Sequence, residues 1–354
     1  MDTRHLPVII LGAGGVGRAL LQQIVEGRAA VARRNRLHFD VLAVADSRRW
    51  LWEPAGLNDD QLRDLIQAKR TGAQLGQPRP PAPAMLAQAA ANHAEGLLVD
   101  VTAADGMEPI LDAALGQGWG VVLANKKPLA GPWATAQAYF NHPRLRHEST
   151  VGGGQPVIAT LRYLLDTDDA IARIQGQLSG TLGYICRRLD EDAAYSQAIA
   201  EAKALGYTEP DPREDLGGKD VARKVMILGR MAGWPLEMSD VQVESLSQPA
   251  LAHLSVSEFI TASVALDPAM RARVLAARAE DKVLRYVAEV TPRGGTVGLQ
   301  PLSRYSPLAN LKYVSFQTRY YADEPLLIGG KGAGVEMTAA GVHGDMIGLG
   351  REMR

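Results

Sequence analysis

The stretch Val8-Ile9-Ile10-Leu11-Gly12-Ala13-Gly14-Gly15-Val16-Gly17 determines the fold of the first part of this chain. Its first four residues predict a buried strand, and the residues from Val16 to Val25 predict a helix. The glycines between them follow the pattern G-x-G-x-x-G. The first permits a tight turn, the second lets backbone N–H groups approach a pyrophosphate, and the third lets helix and strand pack closely. In this context the motif predicts a dinucleotide-binding unit, and the alternative is a glycine-rich turn without a ligand.

Further strands and helices alternate beyond this unit. Apolar runs predict strands at Val41 to Ala45, Gly96 to Val101 and Val121 to Ala124, and Met107 to Leu115 predicts a helix. Short, continuously apolar strands that alternate with helices are typical of a parallel sheet with both faces covered. The prolines and glycines between Arg70 and Pro83 predict an irregular surface loop.

The pattern changes after about Gly154, where helices and alternating strands predict a second, α+β domain. We therefore predict an α/β chain with a Rossmann domain at 1–155, to which 330–354 return, and a second domain at 156–329. The segments behind this division are predicted helices at Pro156 to Leu165, Thr181 to Leu189, Ala193 to Leu205 and Gly334 to Ile347, and predicted strands at Ile171 to Leu178, Leu284 to Val290, Lys312 to Tyr320 and Leu326 to Ile328.

The composition narrows the class of protein. Of the 354 residues, 38 are Lys or Arg and 39 are Asp or Glu, and this net charge of -1 gives no reason to expect nucleic acid or an anionic membrane as a partner. The single cysteine, Cys186, excludes an internal disulfide framework and a multi-cysteine metal site, and it fits a reducing cytoplasm. We also expect neither an export leader nor a membrane span, since no apolar run is long enough.

The end of the second predicted strand carries conflicting signals about the cofactor. Asp46 is placed to bind the ribose 2′-hydroxyl of NAD and to repel a 2′-phosphate. Arg48 and Arg49 follow at once, and an arginine there can bind that phosphate or simply be a solvated loop charge. The sequence therefore predicts NAD(P) without choosing between the two dinucleotides.

The segment from Asp220 to Ala232 predicts a helix with two charged residues on its apolar side. On a helical wheel, Asp220 and Lys224 lie within the apolar arc, whereas Arg223 and Arg230 lie near or beyond its edge. Residues four apart on a helix can meet, and a partly desolvated lysine beside a carboxylate suits proton transfer. A structural ion pair, or a lysine whose head reaches water, is the alternative.

Three other polar segments are candidates for ligand binding. The loop Gly206 to Gly218 carries four acids, which suit an ammonium ligand or ordinary turn chemistry. Asn125-Lys126-Lys127 follows a predicted strand, where open α/β sheets bind ligands; a surface lysine pair is the alternative. Glu148 to Gly154 ends in three glycines, which predict a hinge or a backbone ligand loop.

Together these segments resemble the homoserine dehydrogenase family over most of the chain. Gly206 to Lys224 is the most specific stretch, whereas the glycine turn is shared with many dehydrogenases. The segments that carry the resemblance are Gly12 to Gly17, Ala124 to Lys127, Glu148 to Gly154, Ser179 to Thr181, Gly206 to Asp215, Asp220 to Lys224, Gly332 to Gly334 and Thr338 to Val342.

The resemblance implies a role for particular residues in the interconversion of aspartate semialdehyde and homoserine. Lys224 is implied as the acid/base, oriented by Asp220, with Lys126 as a second catalytic lysine. The substrate residues implied are Glu209, Asp215, Gly180 and Thr181. The cofactor residues implied or derived above are Gly12, Gly14, Gly15, Val16, Gly17, Asp46, Arg48, Thr102, Lys126 and Gly332. A monovalent cation, usually sodium, is implied at Glu148, Val151, Gly153 and Gln155.

The resemblance also implies a homodimer formed through the second domain and acting on a small-molecule substrate. One departure is Gly183 before Tyr184, where many members have Asn. We expect neither the regulatory ACT domain nor the aspartate kinase that other members carry. Two alternatives stay open: another Rossmann-fold semialdehyde dehydrogenase, which would need Cys186 as a nucleophile, and a non-catalytic dinucleotide sensor.

Overall fold

The computed structural model describes residues 3–353, which form two compact units. One unit comprises the residues up to Ile158 together with those from Ala333 onward, and the other is Ala159–Gly332. The chain enters the second unit after Ile158 and leaves it after Gly332, in each case a few residues beyond the predicted boundary. Among the described residues, no helix has the length and apolar character needed to cross a membrane.

The first unit contains a seven-stranded sheet in the order β4-β3-β2-β1-β5-β6-β7. Each strand predicted from an apolar run here is present. The elements in chain order are β1 (Arg4–Leu11), α1 (Gly15–Asn35), β2 (Leu37–Ala45), β3 (Arg49–Trp52), α2 (Asp59–Arg70), β4 (Gln77–Pro78), α3 (Ala82–Ala90), β5 (Leu97–Asp100), α4 (Glu108–Gly116), β6 (Gly120–Leu123), α5 (Lys127–Ala130), α6 (Trp133–Phe140), β7 (Leu145–Arg146) and a 3-10 turn (Glu148–Thr150).

The predicted strands form a parallel sheet, as expected, and two further strands add an antiparallel edge to it. From β2 to β7 by way of β1 the strands are parallel, but β3 pairs antiparallel with β2, and β4 antiparallel with β3. The reversal follows from the turn after β2, where the Asp46 carboxylate accepts the backbone N–H of Arg48 at 2.9 Å and of Arg49 at 2.8 Å. The predicted loop from Arg70 to Pro83 accordingly contains β4 and the start of α3.

The glycine turn follows the predicted geometry. Gly12 has φ +112°, a conformation that favours glycine. A Cβ on Gly17 would overlap the carbonyl oxygen of Gly12, whereas a Cβ on Gly14 would meet nothing within 4 Å. The third glycine is thus needed for packing, and the second leaves open space in front of the helix.

The second unit contains a six-stranded sheet in the order β13-β12-β8-β10-β11-β9. The pairs are antiparallel except β9 with β11. Its elements are α7 (Val157–Asp166, which spans the boundary), β8 (Ile171–Gly176), α8 (Gly180–Asp190), α9 (Tyr195–Ala204), α10 (Pro212–Leu216), α11 (Lys219–Met231), β9 (Val241–Val243), α12 (Val256–Ala262), α13 (Asp267–Ala279), β10 (Lys282–Thr291), β11 (Gly294–Ser303), α14 (Pro307–Asn310), β12 (Tyr313–Thr318) and β13 (Leu326–Gly329), with 3-10 turns at Met238–Asp240, Pro249–Leu251 and Ser263–Leu266.

The chain then returns to the first unit as the helix α15 (Val335–Glu352). Ala339, Val342, Met346 and Leu349 of this helix are fully buried in the same apolar cluster as β1. Burial of a side chain such as Val, Leu or Met contributes about 1.5–3 kcal/mol. The predicted last helix is therefore part of the core of the first unit.

Candidate active site

The N-terminus of α1 is open to an anion. Gly14 is its N-cap and provides no side-chain hydrogen bond, so the first backbone N–H groups have no side-chain cap. The positive end of the helix dipole lies at the same place. The start of α15 is close by, since a Cβ on Gly15 would lie 3.3 Å from Val335. This arrangement fits the pyrophosphate of a dinucleotide.

A cavity of about 540 Å³ lies beside this turn, and its lining includes Gly14, Arg18, Asp46, Arg48 and Lys69. The second carboxylate oxygen of Asp46 is 3.0 Å from the ammonium group of Lys69. Burial alone raises the pKa of the Asp46 carboxyl, but the hydrogen bonds from the Arg48 and Arg49 backbone and from Lys69 outweigh it and lower the pKa. The carboxylate is therefore ionised and held in one position.

The two arginines after Asp46 have different environments. The guanidinium of Arg49 donates to the carbonyl oxygens of Leu75 and Gly76, which ties the turn to the chain before β4. Arg48 is exposed. Both arginines line the cavity, but the Arg49 guanidinium is bonded to backbone carbonyls, so Arg48 is the better suited of the two to a phosphate.

Polar residues at the ends of β5 and β6 position Lys126. The Asn125 amide is buried and donates to Asp100 at 3.0 Å, while its oxygen accepts the N–H of Lys127 at 3.1 Å. Burial raises the pKa of the Asp100 carboxyl, although the N–H of Thr102 donates to it at 2.9 Å. Lys126 is the N-cap of α5, and the bonds of the neighbouring Asn125 side chain to Asp100 and to the Lys127 N–H fix the chain on either side of it.

The segment predicted to hold a cation forms a compact turn within the first unit. The Glu148 carboxylate accepts the N–H of Ile158 at 2.7 Å, and Gly153 has φ +64°. The carbonyl oxygens of Glu148 and Gln155 accept backbone N–H groups, whereas among residues 3–353 those of Val151 and Gly153 accept none. Carbonyl oxygens of this kind are the ligands that alkali and other hard cations prefer.

In the second unit, α11 brings Lys224 and Asp220 together. The Lys224 ammonium lies 2.8 Å from the Asp220 carboxylate and donates to the carbonyl oxygen of Leu178 at 2.7 Å. The Lys224 side chain is 17 % exposed and that of Asp220 is 50 % exposed. The helix begins at this place because Gly218 has φ +70°, and a Cβ there would overlap the Tyr286 hydroxyl.

The other substrate residues predicted for this unit converge on Asp215. One oxygen of its carboxylate accepts the Thr181 hydroxyl at 2.9 Å, and the other accepts the backbone N–H of Glu209 at 2.8 Å. The Thr181 hydroxyl oxygen also lies 2.5 Å from the carbonyl oxygen of Tyr207, so its single proton is shared between the two acceptors. Asp215 thereby joins the N-terminus of α8, where Gly180 begins the helix, to the loop that carries Glu209. These residues form one polar cluster, with Lys224 bonded to the segment immediately before α8.

One expectation about α11 is wrong. Arg230 is buried rather than at the edge of the apolar arc, with a side chain that is 0 % exposed. Its guanidinium donates to the carbonyl oxygen of Leu236 at 2.8 Å and to Glu237 at 3.1 Å. The segment after α11 supplies both of these acceptors. A helical wheel drawn for α11 alone cannot show them.

Sequence reasoning also missed Arg18 and Lys69 in the cofactor cavity. Arg18 directly follows the third glycine, so its position on the first turn of α1 was a usable signal. Lys69 lies in α2, which begins with a capping box between Asn58 and Gln61. That N-x-x-Q pattern could have predicted the helix, but not the pairing of Lys69 with Asp46.

Gly332 lies at the junction of the two units, on the side of the second. It was predicted as a cofactor residue in the segment returning to the first unit. The return to the first unit begins at Ala333, so Gly332 itself belongs to the second unit.

The glycine turn, the seven-stranded sheet and the polar residues at its strand ends define a nicotinamide-dinucleotide-binding oxidoreductase with a second α/β unit. Two family models match, the NAD-binding domain of homoserine dehydrogenase over residues 12–142 and homoserine dehydrogenase over residues 156–347. The chain belongs to the homoserine dehydrogenase family. The resemblance and the fold class expected from the sequence are thus confirmed.

Similar proteins include enzymes of different lengths. The chain is 33% identical to homoserine dehydrogenase of Saccharomyces cerevisiae, with 100% of both chains covered. It is 37% identical to chloroplastic bifunctional aspartokinase/homoserine dehydrogenase 1 of Zea mays, covering 97% of this chain and 38% of the maize protein. The solved structure of a hyperthermophilic archaeal homoserine dehydrogenase in complex with NADPH superposes with a TM-score of 0.74, 25% identity and 98% coverage of both chains.

Proposed function

We propose that this protein interconverts L-aspartate 4-semialdehyde and L-homoserine with NAD(P)H. The observation that carries the proposal is the Lys224–Asp220 pair of α11, bonded to the segment before the Gly180–Thr181 helix start. The family and its named relatives point to the same reaction. A bound nicotinamide dinucleotide supplies or accepts the hydride, and the residues of the second unit act on the substrate.

Lys224 is the proposed proton donor to the aldehyde oxygen and the proton acceptor in the reverse direction. An ammonium group has three N–H bonds, and Asp220 and Leu178 occupy two of them. The third remains for the carbonyl oxygen, on which negative charge grows as the carbonyl carbon is reduced. Lys126, held by the Asn125 anchor, is proposed as the second catalytic lysine.

The acidic loop is proposed to recognise the ammonium group of the amino-acid substrate. Glu209 is exposed and has its backbone fixed by Asp215. Thr181 and Gly180 at the N-terminus of α8 are proposed to contact the substrate, with the helix dipole favouring its carboxylate. In this proposal, the ammonium group and the carboxylate of the substrate are bound by different elements of the second unit.

Both dinucleotides are proposed to bind in the first unit. Asp46 is positioned for a ribose 2′-hydroxyl, which favours NAD, while Arg18, Arg48 and Lys69 line the same cavity and favour a 2′-phosphate. Thr102 and the glycine turn are proposed to contact the remainder of the cofactor. The archaeal relative with NADPH supports the use of the phosphorylated form.

We propose that a monovalent cation, with sodium as the probe, binds at Glu148, Val151, Gly153 and Gln155 through backbone oxygens. A homodimer formed through the second unit is also proposed, and the exposed Tyr305, Leu311 and Tyr320 of that unit support it. A cytoplasmic setting, in the biosynthesis of threonine, methionine and isoleucine, suits the free thiol of Cys186.

The alternative that needs a cysteine nucleophile is disfavoured by the environment of Cys186. The side chain is buried within α8, and burial raises the pKa of its thiol to about 11. A nucleophilic cysteine needs an accessible, low-pKa thiolate. Cys186 is therefore a packing residue.

The test is a spectrophotometric assay at 340 nm with tag-free protein, homoserine and NAD or NADP, followed by the reverse reaction with the semialdehyde. We expect turnover with at least one dinucleotide. Dinucleotide binding by calorimetry without any turnover would instead identify a sensor. Absence of both binding and turnover would overturn the whole proposal.

A further inference from the structure

Three metal-ligating side chains converge on one face of the first sheet, away from the glycine turn. His5 lies near the amino end of β1, and the parallel register pairs it directly with His38 of β2. Asp40 is two residues beyond His38, so the period of a strand places both on the same face. The site is thus built on two adjacent, hydrogen-bonded strands rather than on loops, at the opposite end of β1 from the cofactor turn.

The two imidazoles present the same nitrogen to the same carboxylate. Nδ1 of His5 lies 3.0 Å from Oδ2 of Asp40, and Nδ1 of His38 lies 2.9 Å from Oδ1. The rings are 4.6 Å apart between centroids. The three candidate ligand atoms, one from each residue, all lie within 4.8 Å of one another.

These separations suit a metal ion. Tetrahedral Zn²⁺ with ligands at about 2.0–2.2 Å keeps those ligands about 3.3 Å apart, close to the two imidazole–carboxylate distances already present. We propose that His5, His38 and Asp40 bind a divalent first-row metal ion such as Zn²⁺, with water completing the coordination. The inference is independent of the proposed dehydrogenase reaction.

The surroundings of the cluster provide space for water and one carboxylate ligand, Asp40. A cavity of about 510 Å³ adjoins it, lined by His38, Asp40, Asp59 and Asp60 among others, with Arg28 as its one basic side chain. Asp40 carries the only carboxylate in direct contact with the imidazoles among the described residues. The cavity gives room for water ligands, whereas Asp59 pairs with Arg28 and Asp60 with Arg63, so Asp40 is the carboxylate that favours the ion.

Arg28 selects the tautomer of the neutral His38 ring. Its Nη1 donates to Nε2 of His38 at 2.9 Å, so the ring proton lies on Nδ1 and points to Asp40. Metal binding at Nδ1 displaces that proton and places one on Nε2, against the Arg28 guanidinium. Arg28 keeps its bonds to Asp59 at 2.8 Å and to the Phe39 carbonyl at 2.9 Å. Arg28 therefore opposes the ion both through His38 and through its own positive charge.

The test is Zn²⁺ titration of tag-free, chelator-treated protein, measured by competition with a chromogenic chelator. We expect one ion per chain at this site, and binding weakened at least about tenfold in His38→Ala and Asp40→Asn. His5→Gln, at a side chain that is 63% exposed, gives the same loss with little risk to folding. His253→Ala, at an exposed histidine of the second unit, serves as the matched control.

A second variant tests the position of the ion. Arg28→Met keeps the length of the aliphatic stem and removes the donor to Nε2, so Zn²⁺ should bind more tightly than in the wild type. Equal Zn²⁺ affinity in the wild type and in His5→Gln, His38→Ala and Asp40→Asn would overturn the proposal. So would weaker binding in Arg28→Met when its circular dichroism matches that of the wild type.

Discussion

The ammonium nitrogen of Lys224 lies 2.8 Å from the carboxylate of Asp220, one helical turn earlier on α11, and 2.7 Å from the carbonyl oxygen of Leu178. The lysine is thus held from two sides by acceptors on different segments. Exposed ion pairs stabilise a fold by only about 0–1 kcal/mol, so the pair with Asp220 adds little to stability. The arrangement instead fixes the direction of the remaining N–H.

Replacing Lys224 by Met tests the proposed proton transfer. Methionine keeps the length of the stem and removes the proton and charge, so kcat should fall at least about a hundredfold. The dissociation constant of the dinucleotide, measured by calorimetry, should change little because the glycine turn lies in the other unit. A correctly folded variant with near-wild-type kcat would make Lys126 the leading candidate instead. Lys219→Met, an exposed neighbour on the same helix, is the control.

Thr181→Val tests the polar cluster around Asp215. The change is nearly isosteric but leaves Asp215 and the Tyr207 carbonyl without the hydroxyl donor. Loss of such a buried partner costs about 1–3 kcal/mol, and we expect the KM of homoserine to rise about tenfold. The KM of the dinucleotide should stay constant. The same substitution at exposed Thr261 controls for a general effect, and an unchanged homoserine KM in Thr181→Val would remove this residue from the substrate site.

Asp46→Ala tests the choice of cofactor. Loss of the carboxylate frees Lys69 and removes repulsion of a 2′-phosphate, so the ratio of kcat/KM for NADP to that for NAD should increase. Asp64→Ala, at an exposed acid of α2, controls for net charge. If the ratio is the same in both variants and the wild type, Asp46 does not contact the ribose.

The glycine turn permits a matched pair of substitutions with opposite outcomes. Gly17→Ala places a Cβ against the Gly12 carbonyl and should lower the free energy of unfolding by about 1–3 kcal/mol or more. Gly14→Ala meets no protein atom within 4 Å and should leave stability nearly intact while weakening dinucleotide binding. Urea denaturation and calorimetry measure the two effects. Equal destabilisation by both variants would contradict the assigned roles.

His343 should make stability depend on pH. Its side chain is partly buried, its buried Nε2 has no hydrogen-bond partner within residues 3–353, and burial lowers the pKa of the imidazole. The unfolded chain therefore takes up the proton first, near pH 6.5, and the stabilisation present above that pH is lost as pH falls. His343→Leu should flatten the decline of unfolding free energy below about pH 6.5. An identical decline in the variant would assign it to other groups, and His253→Leu is the control.

The features that sequence reasoning predicted are local ones. The glycine turn, its flanking strand and helix, and the i, i+4 relation of Asp220 and Lys224 each depend on residues a few positions apart. The features it missed depend on pairing between distant segments. Arg230 is buried because Leu236 and Glu237 return to it, and Lys69 meets Asp46 only once α2 has packed against α1. The antiparallel edge differs, because the local turn at Asp46 and not the apolar pattern of β3 sets its direction.

The position of α15 has a consequence for the order of events on the ribosome. The strands and helices of the first unit emerge early, but the side chains Ala339, Val342, Met346 and Leu349 that fill their apolar cluster are translated after the entire second unit. During that interval the nascent first unit exposes an apolar surface. Slow translation between Ile158 and Ala333 should therefore increase its recognition by chaperones, whereas the second unit is continuous in sequence and can fold as soon as Gly332 has left the exit tunnel.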